Sequence, residues 1–87
     1  MAGQTDALSD KALSIIAFAA YHSLLSGERV ASVIRKDGHG HEADPDGVAE
    51  LADKGLATSD DAQVSFTAEG EALVDAVLSG IRSARTR

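Results

Sequence analysis

Two short stretches, Leu51-Ala52-Asp53-Lys54-Gly55-Leu56 and Phe66-Thr67-Ala68-Glu69-Gly70, decide how this chain folds. The first reads as the end of a helix. Leu51 is an apolar anchor, Lys54 is the helix's one base, Gly55 supplies a left-handed stop, and Leu56 starts a new element. The second reads as the end of a strand running into a helix. Phe66 is the last strand residue, Thr67 is an N-cap, and Glu69 and Glu71 sit where the positive helix end favours acids. Between them, Leu56-Ala57-Thr58 begins a strand and Ser59-Asp60-Asp61-Ala62 is a turn. Gln63 to Phe66 alternates polar and apolar, with Val64 and Phe66 on one face. The segment is a β-hairpin set between two helices.

Upstream, Asp44-Pro45 joins an N-cap to a proline at the first helical position. The helix it starts carries Val48, Leu51 and Ala52 inward and ends at Gly55. A first helix is predicted from the cap Ser9 to Ser26, with Gly27 as its stop. It is apolar on two sides: Leu13, Ile16, Ala20 and Leu24 form one stripe, and Ile15, Phe18, His22 and Leu25 form another. A second helix is predicted from Glu28 to Lys36, with Val30, Val33 and Ile34 inward. A glycine-broken loop from His39 to Asp44 follows. Downstream, Leu73, Val74, Val77, Leu78 and Ile81 give the last helix its apolar stripe. The domain reading is a flexible N-terminus over 1–8, one domain over 9–82 and a basic tail over 83–87.

The order helix, helix, loop, helix, hairpin, helix resembles a winged helix. From Val48 to Leu73 the chain is similar to bacterial and archaeal regulators of the MarR-like and PadR-like superfamily. Their recognition helix ends in a leucine followed by lysine-glycine-leucine, here Leu51 and Lys54-Gly55-Leu56. Their second wing strand enters the next helix through phenylalanine or leucine, threonine, two residues and glycine, here Phe66-Thr67 and Gly70. The resemblance spans roughly residues 28–81. It implies a mainly α fold with a small two-stranded hairpin as wing and helices at both ends. It also implies duplex DNA as the usual ligand, which Arg29, Arg35, Lys36 and Lys54 would contact.

The charge map opposes that ligand. The 87 residues carry a net charge of −6. Residues 1–36 are net +1, residues 72–87 net +2, and residues 37–71, with ten acids and one base, net −9. The acidic stretch holds both the would-be recognition helix and the would-be wing. Affinity for DNA comes largely from cations that displace counterions from phosphates. Asp46, Glu50, Asp53, Asp60 and Asp61 stand where such cations are expected, so they are predicted to bind a protein instead. The expected function is a small regulatory module acting through protein–protein contacts, of which a DNA-mimicking inhibitor is one form. The alternative is a DNA-binding transcription regulator, its acid excess then read as a salt adaptation.

Other classes have less support. The chain has no cysteine, which excludes disulfides and thiolate chemistry. The longest apolar run, Ile15 to Tyr21, is seven residues, too short for a membrane span. The start lacks a secretory pattern, so a cytoplasmic location is expected. No serine sits in a nucleophile elbow and no glycine loop has phosphate-binding context, so no enzyme activity is expected. Asp37, His39, His41, Glu42, Asp44 and Asp46 crowd together, and His39 and His41 have a spacing that could hold a divalent ion. They match no fixed motif, so the loop is read as solvated and no metal or cofactor is expected. Sixteen of the residues are alanine, which gives a core of small area. A homodimer is therefore expected, with Ile15, Phe18, His22, Leu25, Val77 and Ile81 at its interface.

Overall fold

A computed structural model describes residues 8–36 and 42–85. Its elements in chain order are α1 (Asp10–Ser26), β1 (Ser32–Ile34), α2 (Pro45–Asp53), β2 (Ala57–Ser59), β3 (Gln63–Phe66) and α3 (Ala68–Ala84). The fold is mainly helical with a small antiparallel sheet in the order β1-β3-β2. It is compatible with a winged-helix-like arrangement, with one helix fewer and one strand more among the described residues than the sequence predicts.

The predicted helix over Glu28–Lys36 is the element that differs. Gly27, at φ 82°, ends α1, and the chain then runs extended into β1. Val33 pairs with Val64 and Ile34 with Gln63. The apolar residues Val30, Val33 and Ile34 are all β-branched and stiff, and they suit a strand better than a short helix. The hairpin also leaves one edge of β3 open. Pairing there satisfies a row of backbone groups that a nine-residue surface helix would not. Arg35 N–H donates to the Ala62 carbonyl at 2.8 Å and Phe66 N–H to the Ala31 carbonyl at 2.8 Å, extending the pairing beyond both ends of β1.

The other elements form as the sequence predicts. Ser9 caps α1 by accepting from Ala12 N–H, Asp44 caps α2 by accepting from Asp46 and Gly47, and Thr67 caps α3 by accepting from Gly70. The helix α3 continues through Arg82 to Ala84, two residues beyond the predicted domain end. Ala52 is exposed, whereas Val48 and Leu51 are buried.

One core joins all the elements. It contains Ala12, Ile15, Ile16, Ala19 and Ala20 of α1, Val33, Val48, Leu51, Val64, Phe66, Val74 and Leu78. Leu56 packs against it without being fully covered. The buried line of α1 thus falls between the two predicted stripes, leaving Leu13, Leu24 and Leu25 outside. The alanines let α1 lie close to α2 and α3. Where α1 crosses α2, Gly47 sits so near that an added Cβ would be 2.6 Å from the Lys11 carbonyl oxygen. Ser23, the buried polar side chain of α1, donates to the Ala19 carbonyl at 2.9 Å and accepts from Val30 N–H at 3.1 Å. Its hydroxyl both donates and accepts, and so fixes the turn from α1 towards β1.

Candidate interaction surfaces

The acids of α2 and the β2–β3 turn are exposed or half-exposed, but most are already engaged. Asp46 takes an ion pair from Lys11 at 3.0 Å. Glu50 accepts from Ser9 N–H at 2.9 Å and from the Ser9 hydroxyl at 2.6 Å. Those two bonds, the hydroxyl first, hold the Glu50 carboxyl below the ordinary carboxylate range. Asp60 accepts from Ala62 N–H and Gln63 N–H, both at 2.8 Å. The Gln63 and Ala62 amides likewise hold its carboxyl low. The result is an Asx turn that shapes the tip of the hairpin. Asp53 and Asp61 are exposed and take part in none of these bonds.

The candidate cations are also distributed by structure. Arg29 donates from Nε to Asp75 at 3.1 Å, pairs with the same carboxylate through Nη2, and reaches Glu71 at 3.4 Å. It ties the α1–β1 connection to α3, and the Asp75 hydrogen bonds raise its already high pKa further. Arg35 donates from Nη1 to the Asp60 carbonyl at 2.9 Å, which sets a guanidinium against the hairpin turn. Lys36 is exposed beside it, and its backbone forms an isolated bridge with Glu42. Lys54 ends α2 and exerts an electrostatic pull on Glu50.

The predicted dimer residues separate into three environments. Ile15 is buried in the core. Phe18 and His22 are half-buried, meet edge to face with ring centres 4.5 Å apart, and line shallow grooves between α1 and β1. His22 is thus packed against the Phe18 ring rather than free in solvent. Leu25 and Ile81 are exposed, and Val77 packs half-covered on the core. His39, His41 and Asp37 lie outside the described residues. Among the described residues, no group of three or more histidines and carboxylates is placed to hold a metal ion.

Three features of these surfaces escaped the sequence. They are the Ser9–Glu50 tie, the Lys11–Asp46 pair and the seating of Arg35 on the turn. The partners lie 41, 35 and 25 residues apart, and no local pattern couples them. No helix of the described residues is long and apolar enough to cross a membrane. Set against family models, curated proteins and solved structures, the chain matches none.

Proposed function

We propose that the chain is a small, non-enzymatic winged-helix regulatory module, a cytoplasmic homodimer that binds a protein through the acids of α2 and the β2–β3 turn. One observation carries this reading: from Glu42 to Glu71, nine acids stand against the single base Lys54. Where the fold's relatives would present cations to phosphates, this chain presents carboxylates. Their field attracts a basic surface and repels a polyanion within a Debye length of roughly 8–10 Å. A protein whose basic site otherwise holds nucleic acid has the matching chemistry, and a DNA-mimicking inhibitor is one form of such a module.

Asp53 and Asp61 are the acids to test, because both are exposed and, among the described residues, neither takes part in a side-chain hydrogen bond or ion pair whose loss would disturb the fold. The full chain and its Asp53→Lys/Asp61→Lys variant are immobilised and exposed to extract from the source cells. The wild type is expected to retain a basic protein that the variant loses, with the same melting curve for both. Equal retention by both contradicts the proposal.

The second reading, a DNA-binding transcription regulator, has one observation in its favour. Arg35 rests on the Asp60 carbonyl at 2.9 Å, so one cation lies at the hairpin where a wing would approach phosphates, and exposed Lys36 follows it in the chain. Binding would then depend on these two and on Lys54, with Arg29 already neutralised by Asp75 and Glu71.

A further inference from the structure

The helix α1 has an outward face that the described residues leave uncovered. Ser14, Ala17, Tyr21 and Leu24 follow one another at spacings of three, four and three residues, and all are exposed. That is the spacing of a helix–helix seam. Leu13 and Leu25 flank it, and Tyr21 and Leu25 are 56% and 71% exposed. Between Lys11 and Glu28 there is no aspartate, glutamate, lysine or arginine. A solvent-facing helix surface ordinarily carries charges.

We infer that this seam is where two copies of the chain meet, with α1 packed antiparallel against α1 of the second copy. The inference rests on the homodimer proposed above and names its surface. Two observations select a second copy as the occupant. The first is charge. Each chain carries −6, so contact between two copies is least opposed where neither presents a carboxylate, and α1 offers such a face along most of its length. The second is shape. The N-terminal half of the seam is small, Ser14 and Ala17, and the C-terminal half is large, Tyr21 and Leu24. A two-fold axis passing between Ala17 and Tyr21 sets Ala17 opposite Tyr21 of the second copy and Ser14 opposite Leu24. Each small residue then receives a large one, as close packing requires. A parallel pair would place small on small and large on large. The Ser14 hydroxyl already donates to the Lys11 carbonyl at 2.6 Å, so it enters a dry contact without losing a partner. The interface is isologous, the commonest form of dimer. One helix pair of this length is at the small end of stable interfaces, so dissociation in the micromolar range is expected.

Two measurements on the full chain test this. Sedimentation equilibrium at about 10–100 µM should show wild-type dimer, and Ala17→Glu should be monomeric with unchanged helix content. Because the chain has no cysteine, cross-linking reads the register directly. An oxidised mixture of Ala17→Cys and Tyr21→Cys chains should form mixed disulfide dimers severalfold faster than either variant alone. Two results overturn the seam but leave the homodimer standing: a dimer that survives Ala17→Glu and is broken by Ile81→Glu, or single-cysteine variants that link as fast as the mixture. A monomeric wild type overturns both.

Discussion

Thr67 donates its hydroxyl to the carbonyl of Gly55 at 2.7 Å, while its backbone N–H donates to the Leu56 carbonyl at 3.0 Å. The two stretches that define the fold are therefore bonded to each other. The end of α2 is clamped to the start of α3, and the β2–β3 hairpin projects from the clamp. Gly55, at φ 72°, makes the turn that brings its carbonyl there. Gly70 completes the clamp: an added Cβ would collide with the Leu56 carbonyl oxygen.

Loss of the clamp should be measurable. Thr67→Val keeps the shape but removes both the cap and the bond to Gly55, and is expected to cost about 1–2 kcal/mol. Thr67→Ser should retain most of that. Urea unfolding with equal midpoints for Thr67→Val and wild type would contradict the clamp.

The glycines should respond in opposite directions. Gly70→Ala forces backbone apart and is expected to destabilise by about 2 kcal/mol or more. Gly80, in the exposed part of α3, has nothing within 4 Å of an added Cβ. Gly80→Ala should therefore stabilise by about 0.5–1 kcal/mol through helix propensity and a less flexible unfolded chain. Melting temperatures that move in the same direction for both would refute this.

Phe66 joins the hairpin to the core and is only 8% exposed. Phe66→Ala is expected to cost about 3–5 kcal/mol, enough to unfold much of so small a domain. Circular dichroism showing native helix content and an unchanged melting temperature would mean that the hairpin does not rest on this core.

Much of this was readable because it is local. Caps, glycine stops and the alternation of Val64 and Phe66 act within a few residues, and the hairpin and α3 formed where the sequence placed them. The error at Glu28–Lys36 has the opposite cause. Val33 belongs to a strand because Val64 lies beside it, and nothing within nine residues announces that pairing. The same holds for Gly47, whose lack of a side chain in α2 is required by the nearness of Lys11, 36 residues earlier in the chain. The acids of α2 were legible as a charge excess but not as individuals: Glu50 belongs to Ser9, and Asp53 to no such bond.

Acid should weaken the fold at Glu50 and Asp60. Both carboxyls are held below their ordinary values by amide and hydroxyl donors in the folded chain. Their contribution is therefore present above the unfolded carboxylate range, near pH 4, and is lost as pH falls through the lower folded values. Melting temperature should drop on acidification through that window, and Asp60→Asn should flatten the drop. An Asp60→Asn profile parallel to that of the wild type would show that the turn makes no pH-dependent contribution.

The most direct test of the proposed function is the anisotropy of labelled duplex DNA, including the promoter of the protein's own gene, titrated with wild-type chain. A surface whose charge from Glu42 to Glu71 is dominated by carboxylates should show no saturable binding at about 0.15 M salt, where attraction to phosphates is still appreciable. Sequence-specific, saturable binding that disappears in Lys54→Glu would contradict a protein-binding acidic face and assign the module to DNA.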